Sequence, residues 1–111
     1  MSYDNENIFA KILRSEIPCD KIYEDEYILS FKDINPQAKI HVLIIPKEQY
    51  LDIADFLQSA NAKYQFNFWA SVNTIIDNLD LRDRGFQIKT HKGKDGGQEV
   101  FHFHLHLLSN S

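Results

Sequence analysis

A single cysteine, Cys19, excludes an intrachain disulfide, so the chain is not a disulfide-stapled scaffold. Long apolar runs are missing as well: none approaches the roughly 20 residues of a membrane-spanning helix. The polar start Met1-Ser2-Tyr3-Asp4-Asn5-Glu6 lacks the pattern of a secretory leader. These absences lead to the expectation of a cytoplasmic protein with no membrane partner. Positive charge is short too, with 12 Lys and Arg against 16 Asp and Glu and a formal charge of −4. Broad nucleic-acid binding needs an excess of cations and is not expected. With 4 Gly and 3 Pro in 111 residues, no linker, repeat or low-complexity segment divides the chain, which reads as one domain over 1–111. A chain of this size, 43% hydrophobic, has limited capacity to bury a core alone and is compatible with association into a dimer.

What the chain does have is concentrated near its end. In Val100-Phe101-His102-Phe103-His104-Leu105-His106-Leu107-Leu108, strict alternation predicts a strand with His102, His104 and His106 on one face. Phe101, Phe103, Leu105 and Leu107 then face a core. Same-face neighbours on a strand lie roughly 6.5 to 7 Å apart. Three readings follow for this row of imidazoles. The rings can lie on a solvated or internally hydrogen-bonded face; they can ligate a metal, as His-x-His pairs do in zinc sites; or they can serve phosphoryl chemistry, one as nucleophile and the others binding oxygens and managing protons.

The preceding segment, Lys92-Gly93-Lys94-Asp95-Gly96-Gly97-Gln98, holds three of the four glycines. Glycine admits positive φ and close ligand approach, and successive N–H groups can form an anion cradle. A glycine loop alone is usually a hairpin turn. Followed by three alternating histidines, it points to a phosphate pocket.

Elsewhere, Asp4 to Ser15 reads as a short helix capped by Asp4 or Asn5, with Ile8, Ile12 and Leu13 at helical spacing. Lys21–Glu24 and Tyr27–Phe31 form a hairpin around Asp25-Glu26. Asp33, in Asp33-Ile34-Asn35-Pro36-Gln37, is either a turn residue or a ligand group. Ile40–Ile45 has the apolar continuity of a central strand, broken only by His41, by itself a satisfied core histidine. Helices are expected over Leu51–Gln58 and Asn61–Asn78, the second with a Phe68, Trp69, Val72, Ile75, Ile76, Leu79 stripe. A last strand, Phe86–Thr90, pairs with the histidine strand across the glycine loop. The fold class is therefore α+β, an antiparallel sheet of about five strands with helices on one side.

The run Gly96-Gly97-Gln98-Glu99-Val100-Phe101-His102-Phe103-His104-Leu105-His106-Leu107 resembles the signature of the histidine triad (HIT) family of nucleotide hydrolases and transferases, in its Hint-like branch. Similar blocks recur in family order at Ile8–Ile12, Glu16–Pro18, Tyr23–Asp25, Phe31–Ala38 and His41–Lys47. The resemblance implies a HIT-like fold whose sheet continues across a homodimer. It implies a phosphoramidase acting between the α-phosphate of a purine nucleoside monophosphate and an amine or similar leaving group, with no cofactor and no metal. In that scheme His104 is the nucleophile of a covalent nucleotidyl-histidine intermediate, His106 serves the phosphate and leaving group, and His102 and His41 orient His104. Asp33, with Ile34 beside it, takes the ribose hydroxyls, as an ionised acceptor suits a diol. Ile8, Phe9, Phe31 and Leu43 surround the purine, Ile12 more loosely, and N–H groups near Gly97, Gln98 and Glu99 face the phosphate. Alternative functions are a dinucleoside polyphosphate hydrolase, a nucleotide-binding regulatory module or a histidine-ligated metal protein.

Three positions depart from the family pattern. His91 stands where a nucleotide-binding Asn is usual, which leaves either a polar loop residue or a phosphate or ribose contact. Glu99 replaces the usual Ser or Thr, so only its backbone N–H suits a phosphate. After Ser109-Asn110-Ser111 the family's tail is absent from the sequence, and the leaving-group side is expected to be more open.

Overall fold

The computed structural model describes residues 2–111. Its elements in chain order are α1 (Ile8–Leu13), β1 (Lys21–Glu24), β2 (Ile28–Lys32), β3 (Ile40–Pro46), α2 (Ile53–Ser59), α3 (Ala62–Asn78), β4 (Gln87–Lys89) and β5 (Leu105–Ser109). Side-chain caps place the helix starts. Asn7, Asp52 and Asn61 each accept the N–H three residues on, at 2.8 to 2.9 Å. The first helix is therefore shorter than expected and is capped by Asn7. Asp4 instead makes a separate turn, accepting the N–H of Glu6 on its side chain and that of Asn7 on its carbonyl.

Asp25 sets the first hairpin, its Oδ1 accepting the N–H groups of Tyr27 and Ile28. The five strands form one antiparallel sheet in the order β1-β2-β3-β5-β4, the topology class expected. Because strand side chains alternate, each strand feeds two cores. Ile28, Val42, Ile44, Leu105 and Leu107 pack with Phe103 against Phe56 of α2 and Tyr64, Phe68, Val72, Ile75 and Ile76 of α3. Leu29, Phe31, Leu43 and Ile45 face the other way, against Phe9 and Ile12 of α1. Helices thus cover both faces, not one. The pattern behind this is the unbroken apolar run of β3, which has to bury both of its sides. Trp69 is the exception in the α3 stripe and remains 39% exposed. Among the described residues, no helix is long and apolar enough to cross a membrane.

The histidine segment also differs from expectation. The alternation survives, with Phe103, Leu105 and Leu107 in one core, but the ladder begins only at Leu105. Pairing with β3 stops at Ile44↔Leu105, near Pro46, which has no N–H to give. Upstream, the backbone finds other partners: Phe103 N–H donates to Tyr50 O at 2.7 Å, and Thr90 Oγ1 donates to His104 O at 2.7 Å. His102 and His104 therefore sit on an irregular extended segment held by cross-bonds, and only His106 is on a strand.

Candidate functional site

On the α1 side of the sheet lies a cleft of about 660 Å³, within the range that holds a small ligand. Ile8, Phe9, Phe31 and Leu43 give it an apolar wall, Asp33, Ile34 and His41 join from β3 and the loop before it, and His91, Gly97, Glu99, His104 and His106 from the last third of the chain. Every candidate named from the sequence borders it except His102 and Gln98. Ile12 borders it too, while Ile34 projects at the rim, 87% exposed.

His102 lies beneath the cleft, fully buried. Its Nε2 is 2.9 Å from Pro46 O, and a carbonyl only accepts, so the ring proton is on Nε2. Nδ1 is then an acceptor, and Tyr3 Oη donates to it at 2.6 Å. The backbone carbonyl of the same residue takes the Nδ1–H of His104 at 2.7 Å. By the same reasoning, the neutral His104 ring carries its lone pair on Nε2, which makes no hydrogen bond among the described residues. Phe9 packs edge-on at 4.9 Å, holding the imidazole plane. Burial pushes the His104 pKa down, which keeps that lone pair available.

A second relay meets the first from the side. Gln37 N–H donates to His41 Nδ1 at 3.0 Å, so the His41 proton is on Nε2, 2.9 Å from His106 Nδ1. His106 then accepts on Nδ1 and presents Nε2–H as a donor. Its pKa is pushed down to about 4, chiefly by burial and then by the neighbouring imidazoles. The His104 and His106 rings are 5.2 Å apart, centroid to centroid. Asp33 is a turn residue, its Oδ1 accepting Asn35 N–H at 2.8 Å, while its Oδ2 stands 3.3 Å from His41 Nε2 at the cleft.

Asp33, His41 and His106 also bring one oxygen and two nitrogens within 4.8 Å of one another, the spacing of a metal cluster. The donor chemistry does not fit. A ligating imidazole turns a lone pair to the ion and its remaining N–H to an acceptor; His41 faces an N–H on Nδ1 and so carries its proton on the nitrogen that would have to ligate. In the alternating triad, both His102 nitrogens are already engaged by Tyr3 and Pro46.

The glycine loop corrects another expectation. Gly97 N–H donates to Lys94 O and Gln98 N–H to Gly93 O, so both amides close a tight turn and do not cradle an anion. Gln98 is a buried brace: its Oε1 accepts Gly93 N–H and its Nε2 donates to Leu51 O and Val100 O. Glu99 N–H is the one of the three not spent in that turn. His91 Nδ1 lies 2.9 Å from Gly96 O, hence donates, and its ring sits 5.5 Å from that of His106. Tyr3 escaped sequence reading because a contact 99 residues away leaves no local signal, and Gln37 because it acts through its backbone N–H, which every residue but proline carries.

Two consequences are measurable. Tyr3→Phe removes the donor to a buried acceptor, and the expected loss in urea unfolding is about 1–3 kcal/mol. The second concerns pH. Burial pushes the His102 pKa down to about 4, whereas an unfolded histidine titrates near 6.5. Between those values the unfolded chain binds the extra proton, so stability is complete above about pH 6.5 and declines toward pH 4. For a 2.5-unit gap the decline is about 3 kcal/mol from His102 alone, and in unfolding curves His102→Asn should make the slope shallower across that window, the remainder coming from His104 and His106.

Comparison with known proteins agrees with this geometry. A family model described as HIT domain matches residues 14–111. A HIT-like protein of Rickettsia prowazekii is 41% identical over 106 residues, covering 96% of this chain and 88% of that protein. The purine nucleoside phosphoramidase of Escherichia coli K12 is 38% identical over 104 residues, 93% of this chain and 86% of that protein. Among solved structures, a HIT family hydrolase from Clostridium thermocellum superposes with a TM-score of 0.86 at 36% identity, covering 97% of this chain and 93% of that one. Matched by that family model over most of its length and by these relatives over nearly all of it, this chain belongs to the HIT family.

Proposed function

We propose that this protein is a nucleotide hydrolase of the phosphoramidase type. The observation that carries the reading is the His104 ring: Nδ1–H is fixed on the His102 carbonyl, and Nε2 borders a nucleotide-sized cleft with its lone pair unengaged. The likeness to a purine nucleoside phosphoramidase supports it. The purine lies between Phe9, Ile8, Phe31 and Leu43, and Asp33 Oδ2 accepts from the ribose hydroxyls.

The His104 Nε2–phosphorus bond forms as the bond from phosphorus to the leaving group breaks. The leaving nitrogen departs with that electron pair and takes a proton from solvent. His104 becomes a nucleotidyl imidazolium whose Nδ1–H still donates to His102 O, which disperses the positive charge. His106 Nε2–H and Glu99 N–H donate to phosphoryl oxygens. Water then attacks phosphorus; the N–P bond breaks, the lone pair returns to His104, and a water proton is released. The test is intact-protein mass after brief mixing with an adenosine phosphoramidate, together with assay of AMP. A transient AMP adduct supports the scheme, and AMP release with no adduct at any time on the pre-steady-state scale overturns it.

The reading includes a homodimer. Strand β4 leaves one sheet edge unpaired among the described residues, its three residues exposed, Ile88 among them, beside exposed Phe86 and with Phe66 and Trp69 exposed on α3. Such an edge is a template for strand addition. A solution mass of two chains is expected from light scattering, with Ile88→Lys shifting it toward one.

A further inference from the structure

One register row of the sheet crosses the whole cleft. Phe31 pairs with Leu43, Leu43 with His106, and His106 with Lys89. Directly paired residues share a face, and adjacent strands are about 4.8 Å apart. The row therefore reads, in equal steps, apolar, apolar, imidazole, ammonium. A nucleotide laid along it has its base on Phe31 and Leu43 and its phosphorus beside His106. The group attached to that phosphorus extends over β4, where Lys89 and His91 border the cleft.

Lys89 is the cation left free there. Lys32, also in the lining, lies 3.6 Å from Asp20, and Lys92 lies 3.7 Å from Asp52. No carboxylate comes within 4.0 Å of Lys89 among the described residues, and Asp33 is directed at His41. Glu99 borders the cleft from the glycine loop and does not pair with Lys89. His91 donates on Nδ1 to Gly96 O, leaving Nε2 unengaged beside His106.

We propose that Lys89 selects leaving groups that carry negative charge, a phosphate or a carboxylate, over neutral or cationic ones. The inference rests on the hydrolase reading and names the substrate class for the same site. Its physical basis is the attraction between an unpaired ammonium and an anion across a partly dry cleft, reinforced by the Coulombic cost of placing a cationic amine in the same position.

The test uses four adenosine phosphoramidates built on one short amine, ending in phosphate, carboxylate, carboxamide or ammonium, with kcat/KM measured for each. In the wild-type protein an anionic end is expected to exceed the ammonium end by about tenfold, the scale of one partly exposed charge contact. That ratio should fall with added salt. Lys89→Met brings it toward one, and Lys89→Glu inverts it. Gains for both phosphate and carboxylate, the larger for the more highly charged phosphate, mean that charge is read. A wild-type ratio near one, or a ratio unchanged in Lys89→Met, overturns the inference. If the carboxamide compound turns over through a His104 adduct without charge preference, the hydrolase reading stands and only the selectivity falls. If no compound releases AMP, both fall.

Discussion

Replacing His104 by Ala is expected to slow AMP release by at least about 10⁴-fold, the scale on which nucleophiles of covalent mechanisms fail. Neither of the other two triad rings can substitute. His102 has both nitrogens committed and is sealed from the cleft, and His106 has its Nδ1 committed to His41 and offers a donor on Nε2. The folded state should survive the change, because His104 contributes one hydrogen bond to a neighbouring carbonyl and an edge contact to Phe9. AMP affinity should move far less than turnover, since the proposed base and ribose contacts lie on α1, β2, β3 and the β2–β3 loop. Single-turnover release of AMP, paired with AMP titration of the same preparation, checks both halves. A folded variant that retains a tenth of the wild-type rate would assign the nucleophile elsewhere.

Phe103→Ala carries the largest expected stability loss, about 3–5 kcal/mol. Its ring is fully buried and lies 4.8 Å from that of Phe56 and 5.5 Å from that of Phe68, joining the histidine segment to α2 and α3. Removing it leaves a void between α2, α3 and the histidine segment. Single domains have roughly 5–15 kcal/mol in total, so the variant should unfold at markedly lower urea, and a fall below about 1 kcal/mol would contradict the packing. Phe103→Leu should lose less, as a closer match in volume. The same residue links core to chemistry. Phe103 lies between His102 and His104, on a stretch with no ladder to hold it, so its side chain and its N–H bond to Tyr50 O stand in for strand pairing.

Periodicity made much of this legible beforehand. Alternation is a local property, so Phe103, Leu105 and Leu107 could be assigned to a core and the histidines to the other side without any coordinates. The unbroken run Ile40–Ile45 likewise announced a central strand, and the glycine-rich loop announced a hairpin beside the site. Expectation failed where a local pattern met a distant partner. The triad is a strand by period, yet Pro46 ends its ladder and side chains hold the rest. Gly97 and Gln98 suit an anion cradle by composition, yet their amides close the turn.

The sequence by itself determined which residues are apolar at period 2 or 3.6, where the chain turns, and which residue types could carry phosphoryl chemistry, because each of these depends on neighbours a few positions away. Tertiary structure alone decided that α1 covers the second face and walls the cleft, that Tyr3 and Pro46 fix the His102 tautomer, that Gln37 turns the His41 proton toward His106, and that Lys89 ends the row through Phe31, Leu43 and His106. Hydrogen-bond direction and cross-strand register join atoms up to 99 residues apart, and only a folded chain brings such partners together.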